Sequence, residues 1–138
     1  MKEVQLTIKG KQTSVEGEVN NIEMVTEGKF YEKRGAYYIV YDESEITGME
    51  GSTTTLRIED NVVSMKRFGS NTSKLTFEKG KKHVTEYETV YGNMPIEVST
   101  SKVDIDISEL GIGSIDLAYR LDISGIIEST NKLLIQMK

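Results

Sequence analysis

A chain of 138 residues without an internal linker is long enough to bury about two-thirds of its unfolded surface, so residues 1–138 are read as a single domain. The lack of cysteine excludes disulfides and thiolate metal sites and points to the cytoplasm, while a formal charge of −5, from 22 acidic and 17 basic residues, repels polyanions. Nucleic acid and membrane are therefore not expected as partners, and no stretch has the roughly 20 apolar residues of a membrane span or the apolar core of a secretory signal.

Along the chain the dominant signal is alternation with a period of two, which places successive side chains on opposite faces of a sheet. Val4, Leu6 and Ile8 begin it, and Ile22, Met24 and Thr26 repeat it toward Phe30, with Gly28 read as a bulge or a point of close packing. From Ala36 to Thr47, Tyr37, Ile39 and Tyr41 share one face and Tyr38 and Val40 the other. Further strands are expected near 53–59, 62–68, 73–78, 82–91, 96–107, 114–127 and 132–137. Turn residues separate most of them: Lys33-Arg34-Gly35, Asp60-Asn61, Gly69-Ser70-Asn71, Lys79-Gly80-Lys81, Gly92-Asn93 and Gly111-Ile112-Gly113. Helical content is limited to a turn around Ser108–Leu110, and Pro95 suits the beginning of a strand.

Short connections make consecutive strands antiparallel neighbours. A flat sheet of this size would leave two bare edges and a large exposed face, so the expected fold is all-β, an antiparallel up-and-down β-barrel of about 8 to 10 strands. The last strand, apolar at Leu133, Ile135 and Met137, is expected to close the sheet against the first.

The motifs carry no catalytic chemistry. His83 is the one histidine of the chain, which precludes a multi-histidine metal site and reads as an ordinary surface residue beside Lys81 and Lys82. Asp42-Glu43-Ser44-Glu45 resembles the beginning of a calcium loop, but Gly48 falls at the seventh loop position and Thr53 replaces the bidentate glutamate. Gly111-Ile112-Gly113 has Asp116 where a dinucleotide fingerprint needs a third glycine. The sequon Asn71-Thr72-Ser73 has meaning only in a secreted protein, and the basic turn at Lys79–Lys82 lacks interleaved aromatics for nucleic acid. No metal or cofactor is expected.

Among the paired carboxylates, Glu86, Glu88, Asp104 and Asp106 alternate with apolar residues and mark a wet face. Glu43 and Glu45 differ, because they continue the stripe of Tyr37, Ile39 and Tyr41. If that stripe faces inward, both glutamates lie inside the barrel near its mouth and need partners, which Arg67, Tyr87 or Tyr91 could provide. Alternation alone also permits the stripe to be the outer face.

The run Tyr38-Ile39-Val40-Tyr41-Asp42-Glu43-Ser44-Glu45-Ile46-Thr47-Gly48-Met49-Glu50-Gly51-Ser52-Thr53-Thr54-Thr55-Leu56 resembles the signature of the YwiB-like proteins, a bacterial family of unknown function. The resemblance continues through Arg67-Phe68-Gly69, Leu75–Gly80 and Tyr87–Ile96, covering nearly the whole chain. It implies a lipocalin-like, or calycin-like, barrel and brings no activity, cofactor or catalytic residue. Val90 stands where the family pattern Tyr-x-Thr-Pro-Tyr-Gly has proline, so a rigid turn is not implied there.

Two functions fit such a barrel. One is binding of a small molecule, with Tyr41, Glu43, Glu45, Met49, Arg67, Tyr87 and Tyr91 as candidate lining, whose mixed charges favour an amphipathic or cationic metabolite over a plain fatty acid. The other is a non-catalytic structural or protein-interaction module with its barrel filled by side chains, using Gly48–Thr55 or Tyr91–Ile96 as a contact surface. An enzyme working through Glu43, Glu45 and Arg67 lacks a nucleophile or metal site and ranks last. The volume and lining of the barrel interior distinguish these readings.

Overall fold

Ten antiparallel strands build the protein in a computed structural model that describes residues 1–47, 50–69, 72–89 and 91–138, without the side chains of 88 and 89. They are β1 (Lys2–Ser14), β2 (Val19–Lys33), β3 (Ala36–Asp42), β4 (Ser52–Glu59), β5 (Val62–Gly69), β6 (Ser73–Glu78), β7 (Lys82–Thr89), β8 (Gly92–Ile107), β9 (Gly113–Ile123) and β10 (Ile127–Met137). The sheet order is β6-β5-β4-β3-β2-β1-β10-β9-β8-β7. Neighbours in sequence are thus neighbours in the sheet, and β1 pairs with β10 from Leu6↔Met137 to Ser14↔Ser129. This is an up-and-down barrel, closed at the two chain ends as the terminal strands' patterns predict.

Among the described residues one consecutive pair lacks a ladder. β6 and β7 lie at the two ends of the sheet order, and the turn between them is instead tied to β8, where Gly80 N donates to Thr100 O at 2.9 Å and Thr100 N to Lys81 O at 3.2 Å. The wall therefore has a seam between β6 and β7. A register shift between Thr100 and Lys102 bends β8 at this point.

The connections after β2, β4, β6 and β8 lie at one end of the barrel, called the lower end, and those after β1, β3, β5, β7 and β9 at the upper end. Two lower hairpins turn in two residues, Arg34-Gly35 and Asp60-Asn61, with positive φ at both central positions. That is the mirror-image turn whose twist matches the strands it joins, and glycine adopts it without steric cost.

The inward face is graded along the barrel axis. Toward the lower end it is apolar: Leu6, Ile39, Leu56, Val63, Phe77, Val98, Ile115 and Leu117 are essentially inaccessible, and burial of each large side chain contributes roughly 1.5–3 kcal/mol. Toward the upper end the same alternation brings in Ser52, Thr54, Ser129 and Asn131, all buried. Gly28 packs closely rather than bulging: its pairing with Val4 is regular, and a Cβ there would lie 2.7 Å from Leu6 Cδ1 and 2.9 Å from Val40 O. On the outer face, Tyr31 stacks on its cross-strand partner Tyr38 at 4.9 Å, and Arg57 Nε donates to the Tyr38 hydroxyl at 3.2 Å.

Some boundaries differ from the pattern-based ones. β3 stops at Asp42 instead of running to Thr47, because the Ser44 hydroxyl accepts from Ile46 N and Thr47 N donates to Ser44 O, folding Glu45–Thr47 into a single 3-10 turn. β9 ends at Ile123 and β10 begins at Ile127, with the reversal made by Ser124 and Gly125, both at positive φ. Gly92 and Asn93 are in β8, paired with Thr89 and Glu88, rather than in the turn. Among the described residues no helix is long and apolar enough to cross a membrane.

Candidate functional site

At the upper end the strands place polar side chains above a packed apolar floor. Tyr41 follows Tyr37 and Ile39 on the inward face of β3, and Glu43, the first residue past the strand, stays in register because its N–H donates to Ser52 O at 2.9 Å. Thr54 is the inward residue of β4 above Leu56, and Arg67 the inward residue of β5 above Met65, with Thr54 and Arg67 directly paired. Three adjacent strands thus converge on one carboxylate.

The Glu43 side chain is 1% exposed and that of Arg67 13%. Thr54 Oγ1 donates to Glu43 Oε1 at 2.6 Å, Arg67 Nη2 reaches the same oxygen at 3.4 Å, and Arg67 Nε donates to Thr54 Oγ1 at 3.3 Å. Nη2 also approaches Met65 Sδ at 3.6 Å. The Tyr41 hydroxyl belongs to the same group: burial, then the Glu43 charge, pushes its pKa well above the ordinary value, while the Arg67 charge pulls the other way. Across the interior, burial likewise raises the Tyr119 hydroxyl to about 12 against the attraction of Arg67. The Tyr119 ring rests on Phe77 with centroids 4.6 Å apart, at the top of the apolar floor.

Above this floor lies a cavity of about 250 Å³ whose walls include Tyr41, Glu43, Arg67, Tyr119, Leu121 and Asn131. It extends to Gln12 and Asn20, both exposed at the rim. Gln12 Nε2 and Asn131 Nδ2 both donate to the Ser129 hydroxyl, at 3.3 and 3.0 Å, forming a polar lip. Thr47 of the 3-10 turn also lines the cavity, and the turn is held over β2 by the Ser44 hydroxyl against Met24 Sδ at 3.2 Å. A second pocket of about 180 Å³ adjoins, sharing Arg67, Leu75 and Leu121 and bounded further by Ser73, Tyr87, Ile96 and Ile123. Ser73 and Leu75 belong to β6 and Tyr87 to β7, so this annex occupies the seam.

Of the seven candidate lining residues, the structure brings Tyr41, Glu43, Arg67 and Tyr87 to these connected spaces. Glu45 is exposed in the 3-10 turn and parts from Glu43, since the strand that would have carried both ends before them. Tyr91 is 97% exposed at the rim. Met49 lies outside the described residues, as do Gly48 and the sequon's Asn71. Thr54, Tyr119, Ser129 and Asn131 complete the site without having been singled out. Their signal was available: each continues an inward stripe, Tyr119 after Ile115 and Leu117, Ser129 and Asn131 before Leu133 and Ile135. His83 lies away from the site on β7, its Nε2 3.0 Å from Glu78 Oε1. Among the described residues no group of three His, Cys, Asp or Glu is placed to hold a metal ion.

A family model described as a domain of unknown function, DUF1934, matches residues 6–135. A solved structure of the ywiB protein from Bacillus subtilis is similar over 99% of this chain and 90% of that one, with a TM-score of 0.86 at 22% identity. That likeness supports the barrel, and the YwiB-like resemblance read from the residues is borne out. No curated protein matches the chain.

Proposed function

The chain belongs to the DUF1934 family, and we propose that its barrel binds a small molecule in the upper cavity. The observation that supports this reading is a cavity of about 250 Å³ into whose wall Arg67 is set, its Nη1 without an acceptor among the described residues. A barrel filled by its own side chains would extend the apolar packing of Leu56, Phe77 and Leu117 to the rim. Here the packing stops at Tyr119, and the space above has a hydrogen-bonded carboxylate–guanidinium pair set in a wall that is otherwise largely apolar, including Ile8, Ile22, Leu121 and Leu133. The main cavity alone falls a little below the roughly 300 Å³ at which ligand pockets begin, and the adjoining annex enlarges it. Buried polar groups convergent on such a space set a ligand's orientation.

Binding in this reading is non-covalent, with no catalytic group assigned, and the protein acts in the cytoplasm. Native mass spectrometry of protein purified without denaturation tests it. The expected result is a retained small molecule that is lost when Leu121→Trp fills the wall common to both spaces. Protein that carries no mass and takes up no added amphipath would contradict it.

A second reading, a protein-interaction module, is favoured by one observation. Exposed apolar side chains ring the upper end: Val15, Val19, Ile46, Phe68, Ile126 and Ile127. Within residues 50–55, Ser52 and Thr54 face inward, while Glu50 and Gly51 are exposed at the same end.

A further inference from the structure

The proposed binding site can be read further, to the class of molecule that it takes, from where its charges and its apolar wall lie. Glu43 is already used: its side chain is sealed from solvent, and its Oε1 accepts from both Thr54 and Arg67. Arg67 is only partly used. Its Nε and Nη2 are bonded, while Nη1 makes no hydrogen bond to the described residues, and the guanidinium borders both the cavity and the annex. A guanidinium carries five donors in a planar fork, so two N–H groups have no acceptor among the described residues. The pair as a whole is neutral.

An anionic head on Nη1 would share one guanidinium with the Glu43 carboxylate, so two like charges would meet in a poorly solvated space. The approach opposes it too. The upper connecting segments contain Glu16, Glu18, Glu45 and Glu50, all exposed, and no Lys or Arg. The lower connections carry Arg34, Lys79 and Lys81 against Asp60 and Glu109, so the connections make the mouth the more negative end, with the exposed Lys11 and Lys132 of the strands also bordering the cavity. A cationic head is attracted to that mouth but meets the Arg67 charge inside, with Glu43 sealed behind its partners. An uncharged acceptor meets neither penalty. Beyond Arg67 the annex presents Leu75, Ile96, Leu121 and Ile123, an apolar wall reaching the β6–β7 seam.

We propose that the ligand is an uncharged amphipath, with an amide, ester, ketone or alcohol oxygen accepting from Arg67 Nη1 and an apolar body lying in the seam annex. This rests on the binding reading above and narrows the amphipathic or cationic metabolite expected from the sequence to an uncharged amphipath.

Calorimetric titration with decanamide, decanoate and decylammonium, which share one chain and differ in the head, tests the class. Decanamide is expected to bind roughly tenfold more tightly than either ion, about the value of one charge-assisted hydrogen bond. Leu75→Trp, which fills the annex, is expected to weaken it at least tenfold, while Arg67→Lys, which keeps the charge beside Glu43, is expected to erase the preference for the amide and leave the chain bound. Tightest binding of decanoate or of decylammonium overturns the neutral class and leaves small-molecule binding standing. Decanamide binding unaffected by Leu75→Trp overturns the placement of the body. If none of the three binds the folded protein, the binding reading falls with it.

Discussion

Glu43 is held inside the barrel by Thr54 and Arg67, which both donate to its Oε1, and the group is replaceable only at a cost. Removing the carboxylate leaves Arg67 facing Thr54 and Met65 without its counter-ion. Breaking a buried pair typically costs about 3–5 kcal/mol, and the partial access of Arg67 to solvent places Glu43→Ala near the lower bound, about 3 kcal/mol. Glu43→Gln keeps the shape and the acceptor, and should cost less than half of that. Urea unfolding of the two variants measures the difference; equal losses would show that volume rather than charge matters at this position. The tyrosines above the floor make a separate prediction. Burial raises Tyr119 to about 12 and Tyr41 above its ordinary value, so in alkaline solution the unfolded chain releases protons that the folded chain retains. Their contribution is fully present below about pH 10, the value of a free tyrosine, and is lost as pH rises through the folded values. Stability of Tyr119→Phe should therefore decline less steeply above about pH 10 than that of the parent. An identical alkaline decline would count against the burial of this hydroxyl.

At the scale of elements, the alternation that puts Tyr41 and Glu43 on one face does not carry on to Glu45. Period-two reasoning holds only while the strand lasts, and Ser44 ends it by bonding the backbone locally, a competition that composition does not reveal. The polar wall formed by Thr54, Ser129 and Asn131 was legible in principle, since all three continue apolar stripes. Alternation alone does not say which of these polar residues are buried, since a hydroxyl or amide can face either water or a hydrogen-bonding partner inside. Gly28 shows the converse: an interior glycine was read as either a bulge or a close approach, and the short distances to Leu6 and Val40 select the second. Gly28→Ala should destabilise by about 1–3 kcal/mol, since the carbonyl of Val40 cannot yield as a side chain can. A neutral effect in thermal or urea unfolding would mean that β2 and β3 separate more easily than their regular pairing implies. The seam makes a prediction for exchange. The strands β1 and β10 are paired on both sides, whereas β6 and β7 each have one unpaired edge, so amides on those edges should exchange with deuterium well before those of β1 and β10. Uniform protection around the barrel would indicate a ladder across β6 and β7.

For the molecule as a whole, the short turns and recurrent alternation predict about 8 to 10 strands in sequence order and the pairing of the last strand with the first, which the ten-strand order and the β1–β10 ladder match, because each adjacent hairpin leaves one consistent way to close. The open pair between β6 and β7 was not legible. Its three-residue turn resembles any other hairpin, and only the anchoring of Gly80 and Lys81 to Thr100 diverts it from forming a ladder. The same closure produces a barrel with two unlike halves, a lower one packed with aliphatic and aromatic side chains and an upper one with a cavity whose largely apolar wall holds the Glu43–Arg67 pair. A crystal structure of protein purified under native conditions tests that division most directly. The account predicts density for a small molecule in the upper cavity, with an acceptor atom at hydrogen-bonding distance from Arg67 Nη1 and an apolar portion against Leu75 and Ile123. A cavity holding only ordered water, or one closed by the side chains of Tyr119 and Leu121, would contradict it.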